Sequence, residues 1–123
     1  MKIIVADDSA LMRGRISSFL SVIDGVEIVG NAGDGQTLID SFDNARPDVL
    51  VLDFKLFKNY RTAIFNKIKN CVVAPILILL TNNSYPQYRN KYLDAGVEFV
   101  FDKSIEFEKL VHLISGRILR QVA

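Results

Sequence analysis

Three acidic residues, Asp7, Asp8 and Asp53, each follow a short apolar run. Ile3-Ile4-Val5-Ala6 precedes Asp7-Asp8, and Val49-Leu50-Val51-Leu52 precedes Asp53. Two further runs end in the same manner: Ile76 to Leu80 leads into Thr81, and Phe99-Val100-Phe101 into Asp102-Lys103. Such runs suit strands buried on both faces, the usual state at the centre of a parallel sheet. In open α/β sheets, ligands bind just outside the carboxyl ends of the strands. If the four strands run parallel, Asp7, Asp8, Asp53, Thr81 and Lys103 converge on one edge. Three carboxylates repel each other there unless a cation sits among them or some protons stay on. An open, all-oxygen site suits Mg²⁺, which keeps several waters and takes one or two carboxylates plus a phosphate. A divalent ion, the Lys103 ammonium and the Thr81 hydroxyl would surround a phosphoryl group, with Asp53 supplying the attacking oxygen. Phosphoryl transfer needs mainly positioning and charge neutralisation, which this set supplies.

The remaining apolar spacing predicts the elements that must hold these residues. Residues 2–6 read as a strand, and Ser9 as the N-cap of a helix carrying Leu11, Met12, Ile16, Phe19, Leu20 and Ile23. After an Asp24-Gly25 turn, 26–30 is a second, more polar strand, suited to a sheet edge. Gly33-Asp34-Gly35 leads into a helix with Leu38, Ile39 and Phe42, ended by Arg46-Pro47. The third strand is 48–53, followed by a helix with Ala63, Ile64, Phe65 and Ile68 as its apolar residues. The fourth strand is 76–80, a short helix covers about 86–95 and stops at Gly96, and 97–101 is the fifth strand. The last helix starts near Ile105, with Leu110, Val111, Ile114 and Ile118 facing the core. Strands alternating with helices at this spacing imply a parallel sheet with right-handed crossovers. The smallest doubly wound solution is the flavodoxin-like (βα)5 fold, order 2-1-3-4-5, whose switch point lies between strands 1 and 3. Asp7, Asp8 and Asp53 meet at that point.

With 123 residues, the chain is expected to form one domain over 1–123. Cys71 is the single cysteine, which excludes an internal disulfide or a cysteine metal cluster and makes a cytoplasmic protein the simple expectation. The N-terminus goes straight into a strand, so no signal peptide is expected, and the apolar run from Pro75 to Leu80 is too short to span a bilayer. The net charge of +1 hides an asymmetry: Phe54 to Leu93 holds no acid but seven bases, whereas the first 53 residues hold nine acids and four bases. The bland reading is a solvated helix face. The functional one is a field for an anionic partner or phosphodonor. The near-neutral balance argues against direct nucleic-acid binding.

Asp7-Asp8 after strand 1, Asp53 after strand 3, Thr81 after strand 4 and Lys103 after strand 5 resemble the receiver domain of bacterial two-component response regulators. The resemblance extends over the full length, and Gly33-Asp34-Gly35 and Asp94-Ala95-Gly96-Val97 also fit. It implies that Asp53 accepts a phosphoryl group from a sensor histidine kinase, a phosphotransfer protein or a small phosphodonor. It also implies Mg²⁺ held by Asp8, Asp53 and the Lys55 backbone carbonyl, with Asp7 acting through water. Lys103 would pair with the phosphoryl group and Thr81 would swing toward it. Helix 4, strand 5 and helix 5 would form the output face, for a downstream target, an output domain of the same protein or a homodimer. No turnover is implied beyond self-phosphorylation and autodephosphorylation.

Several residues depart from the family's usual pattern. Phe57 and Arg61 stand where proline and glycine are usual, so the loop after strand 3 is expected to take a different path. Asn82 replaces a small residue beside Thr81 and is expected to narrow access to Asp53. Val100 replaces an aromatic residue, and Ser104 replaces proline, which excludes a cis-proline turn. Lys55 and Asn83, two residues after Asp53 and Thr81, would flank the water that hydrolyses an aspartyl phosphate, and a Lys55 ammonium there would prolong the phosphoryl state. The alternative is an unphosphorylated pseudo-receiver acting as an interaction module. A structural ion-pair cluster is the bland reading of the acids and Lys103. A haloacid-type phosphatase wants a second aspartate where Lys55 stands, and a flavin phosphate would be repelled by Asp7-Asp8. His112 and Cys71 read as packing or surface residues, and Tyr85, Tyr88 and Tyr92 as core or partner surface.

Overall fold

The apolar runs form five strands, and the segments between them form helices. The structure is a computed structural model and describes residues 1–82 and 86–122. In chain order the elements are β1 (Lys2–Ala6), α1 (Ala10–Ser21), β2 (Glu27–Ala32), α2 (Gly35–Ala45), β3 (Val49–Asp53), α3 (Phe54–Lys69), β4 (Ile76–Thr81), α4 (Pro86–Asp94), β5 (Phe99–Asp102) and α5 (Phe107–Val122). The strands form one sheet of order β2-β1-β3-β4-β5, and every pairing is parallel. This is the doubly wound order read from the sequence. The more polar β2 is an edge strand, as expected, although it runs on to Ala32.

Alternation along the strands divides the core in two. Ile4, Leu50, Leu52, Leu77 and Leu79 face one layer with Leu38, Phe42, Ile64 and Tyr92, placing α2, α3 and α4 on that side. Ile3, Val5, Val49, Val51, Ile78 and Leu80 face the other with Ile16, Leu20, Leu110 and Ile114, from α1 and α5. Each such side chain, fully buried, contributes about 1.5–3 kcal/mol. β3 is buried along its whole length, so Asp53 is carried on the most deeply enclosed strand.

Several expectations about packing need correction. Leu11 is 77% exposed and Phe19 half exposed, with Phe19 edge-on to Phe107 of α5. Around the helix, Leu11 lies about 180° and Phe19 about 100° from the buried Leu20, which turns both away from the sheet. In α5, Leu113 rather than Val111 packs against the core. Leu56 and Phe57, absent from the expected helix face, are buried in α3. β5 starts at Phe99 rather than at residue 97, because Val97 belongs to the turn after Gly96, whose φ of 105° favours glycine. No helix among the described residues is long and apolar enough to cross a membrane.

Candidate functional site

The carboxyl ends of β1, β3, β4 and β5 lie side by side, with Ala6 paired to Leu52, Asp53 to Leu80 and Thr81 to Asp102. Parallel pairing therefore brings Asp7, Asp53, Thr81 and Lys103 to one edge from four separate parts of the sequence. One oxygen from each of Asp7, Asp8 and Asp53 falls within a cluster 4.8 Å across, with Asp7 and Asp53 buried and Asp8 exposed. Thr81 is buried at the end of β4, and its carbonyl accepts the Lys103 N–H at 2.9 Å.

Asp7 is held on every side. Its N–H donates to the Ala32 carbonyl at 3.0 Å, its Oδ1 accepts the Ser9 N–H at 2.9 Å, and its carbonyl accepts Arg13 Nη1 at 2.8 Å. Arg13 also donates through Nε to Asn31 at 2.8 Å and lies over Gly33, where a Cβ would come within 2.8 Å of Nη1. Arg13 thus ties α1 to the ends of β1 and β2. Asp34 caps α2 by accepting the Thr37 N–H at 2.8 Å, and Ser9 caps α1 by accepting the Met12 N–H at 3.2 Å. Backbone and side-chain bonds from Thr37 hold the Asp34 carboxyl below its ordinary value.

Lys103 is the one described cation among the acids. Its Nζ donates to Asp7 Oδ2 at 2.7 Å and pairs with Asp53 Oδ1. Burial works against its charge, but the hydrogen bonds and attraction of Asp53 and Asp7 prevail and hold its pKa above the ordinary lysine value. One ammonium among three carboxylates leaves the cluster net negative, with Asp8 exposed to solvent.

No loop separates β3 from α3: Asp53 is itself the N-cap, and its Oδ2 accepts the Lys55 N–H at 3.2 Å. Phe57 does not redirect a loop but is buried, edge-on to Phe65 with ring centroids 5.8 Å apart. α3 is broken at Tyr60 (φ −120°, ψ 18°), and the Tyr60 ring lies on Gly35, leaving no room there for a Cβ. Lys55 is exposed and presents its N–H to Asp53, whereas a carbonyl in the first turn of a helix runs toward the helix C-terminus. Asn82 is exposed; Asn83 and Tyr85 lie outside the described residues. Val100 is buried in the layer of α3 and α4, with Phe99 and Phe101 packed on the opposite layer.

Residues outside the expected set also shape the site. Phe54, directly after Asp53, packs on Tyr92 of α4 with ring centroids 5.2 Å apart. Glu106, buried at the start of α5, binds Arg89 of α4, Lys109 and the Asp102 N–H. Burial alone would raise the Glu106 carboxyl; bonds from Lys109, Arg89 and the Asp102 N–H bring it down to about 2. A Glu three residues after the site lysine was the available signal, unread because helix-start glutamates are common. Of the seven bases in the acid-free stretch, Lys67 pairs with Asp43 and Arg89 with Glu106, so the stretch is partly neutralised by acids from outside it. Tyr92 is buried and Tyr88 exposed, which splits the tyrosine pair between core and surface. His112 is exposed, and the half-buried Cys71 thiol donates to the Lys67 carbonyl at 3.2 Å.

Three clustered carboxylates open to solvent through Asp8 form an all-oxygen donor set that fits Mg²⁺. Comparison with known proteins identifies the family to which the chain belongs. The chain is 29% identical to the transcriptional regulatory protein PdtaR of Mycobacterium tuberculosis, over 97% of this chain and 57% of that protein. It is 34% identical to a protein-glutamate methylesterase/protein-glutamine glutaminase of Syntrophomonas wolfei, over 63% of this chain and 22% of that protein. The chain thus spans at most a little over half the length of these two relatives. The signal receiver domain of a DNA-binding response regulator from Colwellia psychrerythraea has the same fold, with a TM-score of 0.82 at 19% identity over 96% of this chain and 98% of that one. The family model for the response regulator receiver domain matches residues 3–115, and the chain belongs to that family.

Proposed function

We propose that Asp53 accepts a phosphoryl group from a sensor histidine kinase or phosphotransfer protein, and that the added charge switches a protein-binding surface. The observation that carries this reading is the Lys103 ammonium bonded at once to Asp7 and Asp53, a cation already in place where phosphoryl charge would arrive. A carboxylate oxygen of Asp53 attacks the donor phosphorus as the bond from phosphorus to the donor breaks, and that electron pair leaves with the donor. Lys103 then pairs with a phosphoryl oxygen, and the Thr81 hydroxyl donates to another. The positive end of the α3 dipole favours the same negative charge.

Bound Mg²⁺ would neutralise phosphoryl oxygens. Asp8 and Asp53 would hold it directly and Asp7 through water. The Lys55 carbonyl would join them once the first turn of α3 opens. The domain turns over nothing beyond its own phosphorylation and dephosphorylation. Its output passes through α4, β5 and α5 to a downstream target, to a further domain of the same protein or to a second copy. A cytoplasmic location suits such a partner.

Intact mass after incubation with acetyl phosphate and Mg²⁺ tests this, beside Asp53→Ala. The expected result is one phosphoryl group, absent in the variant and without Mg²⁺. No adduct, at early times and with a kinase as donor, overturns it. The pseudo-receiver would then stand, and one observation favours it: α3 begins directly at Asp53, so a helical turn occupies the place of a loop.

A further inference from the structure

The turn that carries Lys103 has no proline to stiffen it, yet each step of it is pinned. Asp102 Oδ1 accepts the Ser104 N–H at 2.7 Å and the Ile105 N–H at 3.3 Å. The Glu106 N–H donates to the Asp102 carbonyl at 3.0 Å, and Glu106 Oε1 accepts the Asp102 N–H at 3.1 Å. Residues 102 and 106 thus clasp each other in both directions, with Lys103 at the mouth of the loop they close. A lysine side chain has a long flexible stem, so the position of its ammonium depends on a fixed backbone.

Glu106 is buried, and a buried carboxylate needs partners. Lys109 supplies one from the first turn of α5, with Nζ 2.7 Å from Oε2. Arg89 supplies the other from α4, through Nη2 to Oε1 and, at 3.5 Å, Nη1 to Oε2. Arg89 therefore binds the same Glu106 oxygen that accepts the Asp102 N–H. Three residues further along α4, Tyr92 packs on Phe54, next to Asp53. α4 is joined to both sides of the acidic cluster through two of its own side chains.

We propose that Glu106 is a positioning residue for Lys103: it fixes the Asp102–Ser104 turn from beneath and, through Arg89, makes the placement of that ammonium depend on α4. The inference deepens the phosphoryl-acceptor reading and rests on it for its consequence, but the placement itself is measurable without phosphorylation. The Glu106–Arg89 pair links the turn at the site to α4. A shift of α4 that withdraws Arg89 leaves a buried carboxylate short of a partner, and the turn responds.

The test is the rate at which an amine-reactive ester labels Lys103, read peptide by peptide in wild type, Glu106→Gln, Arg89→Gln and Arg89→Lys. Lys103 is nearly enclosed in the native protein and should label slowly. Arg89→Gln keeps Glu106 and its Lys109 bond, so it carries the test if Glu106→Gln does not fold. Losing one charge-assisted bond corresponds to roughly a tenfold rise in the labelling of Lys103. Exposed Lys2 and Lys69 should stay unchanged, and Arg89→Lys should recover most of the protection. Unchanged Lys103 labelling in Arg89→Gln, or a rise shared by all lysines, overturns the proposal. Binding of beryllofluoride with Mg²⁺ is measured in parallel. It should weaken about tenfold in Arg89→Gln. If wild type binds none, the phosphoryl reading fails, while the labelling result still decides the role of Glu106.

Discussion

Lys103 reaches back 96 residues to Asp7, its Nζ 2.7 Å from Oδ2. The same ammonium bonds Asp53, so one side chain from just after β5 joins the ends of β1 and β3. The lysine acts as the resident counter-ion of the cluster. Any arriving cation or phosphoryl group must bargain with it.

Lys103→Met should separate those two roles. Removing one partner of a buried pair costs about 3–5 kcal/mol. The protein should therefore unfold at lower denaturant concentration without a change in m-value. Its affinity for Mg²⁺ should rise, because the competing positive charge is gone and the acids are left unneutralised. Calorimetric titration with Mg²⁺ decides it: an affinity no higher than wild type would show that the lysine does not oppose the ion.

Glu106 gives a pH signature. Its folded pKa of about 2 lies below the ordinary value of 4.5, so its carboxylate stabilises the fold. That contribution is fully present above about pH 4.5 and is lost as the pH falls toward 2. Glu106→Gln should flatten the acid limb of a stability–pH curve in that window relative to wild type. Parallel curves would mean that the Arg89 and Lys109 bonds do not depress the carboxyl.

The four apolar runs and their terminal polar residues were legible because buried parallel strands have little else in them, and topology then forces their ends together. The joint between β3 and α3 was not. Phe57 was visible as a departure, but whether a departure bends a loop or lengthens a helix depends on a partner, here Phe65, eight residues on. Likewise Leu11 is apolar like the core residues of its helix, but nine residues before Leu20 is about two and a half turns, which puts it on the opposite, solvent face. Arg13 and Glu106 bind backbone atoms of Asp7 and Asp102, and such contacts carry no fixed residue type or spacing, so pattern alone had no reason to select them.

Lys55→Ala bears on the lifetime of the phosphoryl state. Lys55 is exposed in the first turn of α3, two residues after the one that would carry the phosphoryl group. Its ammonium can lie against phosphoryl oxygens and stand in the line of an attacking water. Removing an exposed charge contact of about 1 kcal/mol should speed autodephosphorylation a few-fold. The decay of the phosphorylated species by mass spectrometry checks it, and an unchanged half-life would exclude Lys55 from that role.

Phe57→Pro restores the residue usual in the family and should trade stability for metal binding. The fold loses a buried aromatic side chain, at a cost of about 3–5 kcal/mol. Proline also lacks the N–H that a fourth helical residue gives to its N-cap, and it disfavours helix at Leu56. The first turn of α3 should therefore open and release the Lys55 carbonyl toward the carboxylates. Phe57→Ala removes the same ring but leaves the turn free to form. Mg²⁺ affinity should rise in the proline variant and hold at the wild-type value in the alanine one. Equal affinities in the two variants would mean that the helical turn at Asp53 does not withhold a ligand, and that the three carboxylates alone set the strength of the site.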